Sequence, residues 1–340
     1  MRSVARGLNP EALGEFGLIE AIRRRARVDR PEWRVAIGDD AAVLRPRRGV
    51  ELVWTTDTLV EDVHFRWSLT DAHSLGVKSL AVSLSDLGAM GARPLGFLLS
   101  LALPGAADPT LVQRFISGIL ACARAARCPL VGGDTVSARS WVVTVAAVGD
   151  VPQGRALLRS GARPGDRIFV TGSLGEAALG LRELERGERR GAAVRRQLAP
   201  KPPLEVGPKL LRLRLASAAI DLSDGLAQDL GHLAGASGVA AEVELERLPL
   251  ARSLRTKALA LGLDPQGLAL HGGEDYELLF TTPLRAPSAA TLARRLGCRI
   301  SEIGSIRRGR GVHFTQRGQA VSVPARGWDH FKTPRRNSEA

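Results

Sequence analysis

Residues 75–91 read LGVKSLAVSLSDLGAMG. Small and apolar side chains fill most positions, Asp71 upstream suits an N-cap, and Met90-Gly91 suits a stop, so a long helix is predicted. Asp86 then falls in its last turn, where the helix dipole disfavours an anion. Helical spacing sets it beside Val82, Ser83 and Met90, among small and apolar neighbours. A surface acid has little reason to sit there. Apolar runs of strand length flank the helix, LVWTT (52–56) and FLLSLAL (97–103). Such alternation recurs along the chain without a strict βαβ repeat, which predicts an α+β fold with mixed α/β sheets.

Working outward, Asn9-Pro10 opens a helix through about Arg27, and short strands follow near 34–37, 42–44 and 51–56. Asp108-Pro109 starts a helix to about Arg127, and strands near 129–131 and 141–149 close the first half. GDVPQG (149–154) is boundary punctuation, which gives domains at 1–150 and 151–332 with a frayed tail at 333–340. The second half contains a helix after Gly175, a loose arginine-rich stretch at 186–200, and KPP (201–203) before another helix. Strand AAIDLS and strand YELLFTT (276–282) bracket further alternation.

The 340 residues include 48 Lys and Arg against 35 Asp and Glu, a net charge of +13. That excess permits nucleic-acid binding, but with one Tyr and no zinc-finger or RNP-type motif, scattered arginines on a solvated surface or a phosphate-bearing substrate fit better. No nucleic-acid partner is expected. The apolar runs fall short of a membrane span and the first residues lack a signal-peptide core, so a cytoplasmic protein is expected. Three cysteines follow neither a disulfide nor a zinc pattern.

The carboxylates are distributed oddly for such a basic chain. AIGDDAAVL (36–44) carries Asp39 and Asp40 behind a glycine. TTDTLVEDVHF (55–65) surrounds Asp57 with Thr55, Thr56 and Thr58, at what reads as the end of a strand. LVGGDTVS (130–137) places Asp134 after a strand and two glycines. AIDLSDG (219–225) carries Asp221, Ser223 and Asp224, and HGGEDYELLF (271–280) carries Glu274 and Asp275. Individually these admit plain structural readings: a Gly-Asp-Asp turn, an N-cap at Asp224, turn formers at Asp134 and Glu274, solvated acids at Glu61 and Asp62. Together they make an oxygen-only set suited to hard cations, above all magnesium bridging carboxylates to phosphates. No P-loop, dinucleotide fingerprint or protein-kinase motif is present, yet phosphoryl transfer needs alignment and charge neutralisation more than a covalent catalyst.

The series IGDDAAVL, TTDTLVEDVHF, SLAVSLSDLGAMGARP, GGDT, GRALLRSGARPGD, IDLSDGLAQDLGHL and GGEDYEL closely resembles the thiamine-monophosphate kinase family, within the aminoimidazole-ribonucleotide synthetase superfamily. The motifs run in family order from about residue 14 to 331. The resemblance implies a two-domain fold whose N-terminal domain dimerises through its strands, with the site in a cleft between the domains. It implies that Asp40, Thr55, Thr56, Asp57, Asp86, Asp134, Asp221 and Asp224 form the shell for several magnesium ions, with Asp39 supporting Asp40. Gly133, Asp134, Arg159 and Ser223 match the ATP contacts, and Phe115 is the candidate aromatic near the base. His64, Glu274 and Trp328 match the positions that hold thiamine monophosphate. An indole beside an acid is a sensible platform for a cationic thiazolium. The implied reaction is transfer from ATP to thiamine phosphate by direct in-line attack, with no enzyme nucleophile.

Overall fold

A computed structural model describes residues 8–323. In chain order the elements are α1 (Pro10–Arg23), β1 (Trp33–Val35), β2 (Val43–Leu44), β3 (Val50–Val60), α2 (Ala72–Ala89), β4 (Arg93–Leu103), α3 (Pro109–Ala126), β5 (Leu130–Ser137) and β6 (Val142–Pro152). There follow β7 (Arg167–Thr171), α4 (Glu176–Glu185), α5 (Ala192–Leu198), α6 (Val206–Leu213), β8 (Ala218–Asp221), α7 (Leu226–Ser237) and β9 (Ala240–Glu244). The last are α8 (Arg252–Ala260), α9 (Pro265–His271), β10 (Leu278–Thr282), α10 (Ala289–Leu296), β11 (Ile300–Arg307), β12 (Gly311–Gln316) and β13 (Gln319–Val321). The chain forms two compact units. One runs to Leu157 and takes back Leu198–Arg214; the other comprises Leu158–Gln197 and resumes at Leu215.

The first unit is built on a four-stranded sheet ordered β3-β6-β4-β5, in which β4 and β5 are parallel and the other pairs antiparallel. Helices α2 and α3 cover one face, and Phe97, Leu99, Leu101, Val143 and Val145 point into the core they share. Asp71 caps α2 by accepting the Ser74 amide, and Asp108 caps α3 by accepting that of Thr110, as their positions before the helical runs imply. The two helices cross at contact distance. A Cβ on Gly76 would lie 2.2 Å from the Phe115 carbonyl oxygen, and one on Gly118 would lie 2.0 Å from that of His73. A side chain at either crossing would push the backbones apart. Helix α6 lies on α2 in the same way, with Gly207 against the Gly88 carbonyl.

Four local expectations are corrected. Helix α1 stops at Arg23, short of Arg27, after a kink at Gly14, and Pro31 lies soon beyond. Strand β3 continues to Val60, so Asp57 is inside the strand and not at its end. Strand β5 passes straight through the two glycines: Gly133 runs so close to β4 that a Cβ would be 1.9 Å from the Leu99 carbonyl oxygen. Glycine there permits a close strand and does not break one. The arginine-rich stretch contains α5, whose Ala193, Val194 and Gln197 are buried.

The second unit carries a seven-stranded sheet ordered β13-β12-β9-β11-β7-β10-β8, mixed because β12 runs parallel to β9. Its own core includes Ile168, Val170, Ile220, Leu279, Ile303 and Leu230.

Candidate functional site

Strand alternation on β3 sends Thr55, Asp57 and Leu59 toward α2 and Trp54, Thr56 and Thr58 to the opposite face. Asp86, on the buried side of α2, meets the first set. The Thr55 hydroxyl donates to Asp86 Oδ2, and Ser83 Oγ donates to Asp57 Oδ2 at 2.7 Å. Burial pushes the Asp57 carboxyl up to about 6, against the lowering effect of the Ser83 hydrogen bond, and the Asp86 charge adds to the rise. Two carboxylates with hydroxyls and no nitrogen or sulfur ligand between them fit a hard divalent cation. Among the described residues there is no preformed group of three or more His, Cys, Asp or Glu able to hold a metal.

The other first-unit positions lie elsewhere. Thr56 Oγ1 donates to the Val145 carbonyl, away from Asp86. The register aligns Asp57, Val145, Leu99 and Gly133 in one row, and Thr58, Thr144, Ser100 and Asp134 in the next. Asp134 is therefore three strand spacings across the sheet, about 14 Å, and on the alternate face. Its carboxylate accepts the Thr135 amide, and Asp39 accepts that of Asp40 in the exposed turn between β1 and β2. The turn reading of Gly-Asp-Asp thus holds locally. His64 Nδ1 accepts the Val60 amide at 3.0 Å, which assigns the ring proton of its neutral form to Nε2. Phe115 is corrected: it is wholly buried and meets Trp141 edge-on, so it offers no ring to a nucleotide base. Glu61 is corrected too, since its carboxylate accepts the Trp141 amide at 2.8 Å.

In the second unit, Asp221 ends β8 and is buried. Ser223 and Asp224 form the turn into α7, but Asp224 is not the cap: the N-cap position is Gly225, and Asp224 accepts from Gln228 at 2.8 Å. The turn is held instead by Asp229, whose Oδ2 accepts the amides of Asp224 and Gly225, both at 3.1 Å. Against it lies the Gly272-Gly273 turn. The Glu274 amide donates to the Ser223 carbonyl at 2.7 Å and the Tyr276 amide to that of Leu222 at 2.8 Å. Glu274 and Tyr276 both adopt left-handed backbone, with φ of 58° and 49°, which is strained for non-glycine residues. Glu274 accepts from Gln197 at 2.5 Å. The Arg159 side chain is exposed beside the turn before β7. Trp328 lies outside the described residues.

Asp229 and Glu277 escape a sequence reading, and Asp275, which the sequence groups with the cation-binding acids, turns to backbone amides instead. Asp229 looks like a first-turn helix acid, yet it is buried, and burial with the charges of Asp224 and Asp221 pushes its carboxyl up to about 8. Asp275, raised to about 7 by burial, accepts the Gly175 and Ala177 amides at the start of α4. Glu277 receives Thr171 and Arg196. The raised value of Asp229 has a definite sign. Its contribution to stability is complete below the unfolded value near 3.8 and is lost as pH climbs through about 8. Asp229→Asn, neutral at every pH, should therefore gain on wild type by several degrees of melting temperature between pH 5 and pH 9 in EDTA. Melting curves with a constant difference across that range would exclude a buried, titrating Asp229.

The N-terminal domain model of AIR synthase related proteins matches residues 38–151, and the C-terminal domain model matches residues 163–316. The thiamine-monophosphate kinase of Salmonella typhimurium is 41% identical over 334 residues, covering 95% of this chain and all of that protein. The crystal structure of thiamine-monophosphate kinase from Stenotrophomonas maltophilia superposes with a TM-score of 0.81 at 41% identity, covering 91% of this chain and 98% of that one. AaThiL, solved in complex with AMPPCP and TMP, superposes with a TM-score of 0.74 at 33% identity over 97% of this chain and 100% of its own.

Proposed function

The chain belongs to the thiamine-monophosphate kinase family of AIR synthase related proteins, and on that premise we propose how its residues move a phosphoryl group from ATP to thiamine monophosphate, giving ADP and thiamine diphosphate. The carrying observation is the half-buried pair of Asp57 and Asp86, with Thr55 and Ser83 on their oxygens. Carboxylates that repel each other at neutral pH are poised for a divalent cation, and magnesium is the one that oxygen ligands and nucleotide phosphates share. Bound magnesium supplies charge neutralisation and alignment of the two phosphate groups.

Asp57 and Asp86, with Thr55, would hold one magnesium ion, while Thr56 and Asp134, on the other face of the sheet, and Asp40, Asp221 and Asp224 would hold the further ions that the family positions imply. Gly133, Asp134, Arg159 and Ser223 attend ATP, while His64, Glu274 and Trp328 attend thiamine monophosphate. The acceptor phosphate oxygen attacks the γ-phosphorus directly. Burial pushes the Cys122 and Cys128 thiols up to about 11 and about 12, so both stay protonated at neutral pH and offer no thiolate nucleophile. No described helix is long and apolar enough to cross a membrane, which fits the cytoplasmic setting proposed here. Purified protein with ATP, magnesium and thiamine monophosphate should yield thiamine diphosphate on chromatography, and EDTA should abolish it. Product formation that survives EDTA would refute the metal assignment, and no product at all would refute the substrate.

The proposed homodimer uses the sheet face opposite α2 and α3. Trp54 is 59% exposed there, and Leu52 and Val136 are also solvent-facing. Buried aromatic anchors dominate association energies. Trp54→Arg should weaken self-association ten-fold or more in sedimentation velocity. An unchanged sedimentation coefficient across the same concentrations would exclude this face.

A further inference from the structure

A cavity of about 850 Å³ opens in the first unit, between the segment that follows α1 and the C-terminal end of α3. Arg25, Arg27 and Arg30 line it from one side and Arg124 and Arg127 from the other. Helix C-termini attract cations, which accounts for Arg124 and Arg127 taken alone. It does not account for three more arginines converging on the same concave surface.

The acids in the wall leave most of them without an ion-pair partner. Glu32 is engaged by Arg93 at 3.1 Å, and Arg93 also pairs with Asp150 at 3.0 Å. Arg30 donates to the Arg127 main-chain carbonyl at 2.8 Å, and Arg25 to that of Ala21 at 2.7 Å. Among the described residues no carboxylate forms an ion pair with Arg25, Arg27, Arg124 or Arg127, which leaves Asp29 as the remaining acid of the lining. Burial and the like charge of Arg93 hold the Arg30 guanidinium below the usual arginine range, and the charges of Glu32 and Asp150 offset this only in part.

The floor is different in kind. Leu120, Ala123, Cys128 and Leu130 form it, and all four are buried. A volume of this size exceeds what a bare phosphate needs and lies within the range of organic-ligand sites. Guanidinium groups match phosphate oxygens in fork geometry, and the apolar floor matches a ring.

We propose that this cavity is a second, non-catalytic site for a small phosphate ester carrying an apolar ring. It lies apart from Asp57, Asp86 and Thr55, none of which lines it, and it does not depend on the identity of the kinase substrate.

The test uses the full chain and 1-naphthyl phosphate, followed by its fluorescence. Wild type should show saturable binding that inorganic pyrophosphate displaces and that 1-naphthol, lacking the phosphate, matches only about ten-fold more weakly. Arg27→Ser with Arg124→Ser, both exposed positions, should weaken binding by roughly ten-fold or more while leaving kcat and both KM values unchanged. Asp57→Asn should keep the binding intact. Should the double variant prove insoluble, Arg124→Gln alone carries the same readout with a smaller loss. Binding untouched by the arginine variants, or lost equally in Asp57→Asn, overturns the proposal. So does a surface that ignores naphthyl phosphate but shifts a short RNA duplex in a salt-dependent, arginine-dependent manner.

Discussion

Asp57→Asn should lower kcat by roughly a hundred-fold or more, the scale of losing one well-placed electrostatic partner of a transition state. Its stability should move the other way. In metal-free wild type the Asp57 carboxyl, raised to about 6, contributes fully to stability below about 3.8 and loses that contribution as pH rises through 6. At pH 8 the ionised group sits half-buried near the charge of Asp86, and the amide replaces it without charge. The variant should thus melt at or above wild type in EDTA at pH 8, and below or equal to it at pH 4. Protons and magnesium compete for the same oxygens, so the magnesium concentration for half-maximal rate should rise as pH falls below about 6 in wild type. Calorimetric melting with EDTA and magnesium titrations at several pH values read both effects. A variant that keeps wild-type turnover would remove Asp57 from the site, and one that melts far below wild type at pH 8 would mean its role is structural.

The largest stability loss is expected from Gly76→Ala. The new methyl would sit 2.2 Å from the Phe115 carbonyl oxygen, a backbone atom that no rotamer change can move. Helices α2 and α3 would have to separate, and Leu80, Leu84, Phe115 and Ile119 would lose close packing. Overpacking of this kind costs about 3 kcal/mol or more, which for a unit of this size lowers Tm by roughly 10 °C. Gly235→Ala is the control, since nothing lies within 4 Å of its Cβ position. If both substitutions shift Tm equally, helix propensity explains the result and the close crossing does not.

The sequence carried much of this arrangement because α2 states its periodicity openly. Small residues around Asp86 require an inward acid, and the structure meets it with Thr55. The caps at Asp71 and Asp108 are equally local and equally visible. What stayed hidden depends on contacts distant in sequence. Asp229 looks like any first-turn acid until the turn at 223–225 folds onto it. Asp275 and Glu277, lying just behind Glu274, spend their carboxylates on α4, Thr171 and Arg196. The sequence foreshortens strand β5 because glycine usually interrupts, whereas Gly133 serves a close backbone approach. Phe115 drew a ligand role from its ring alone, and only the packing of α3 shows that the ring is interior. The distance between Asp57 and Asp134 follows from strand order, which no linear spacing encodes.

The return of Leu198–Arg214 to the first unit bears on synthesis. A nascent chain that has released residue 157 has all the strands of its first sheet but not α6, whose Gly207 and Leu211 seat against Gly88 and Gly91. At ~5–20 residues per second, that face of α2 waits some seconds for its cover. During that interval the ribosome holds a nearly finished unit with an apolar seam still open. Cutting the gene after codon 157 would make the interval permanent, so a fragment ending there should depend on chaperones or aggregate.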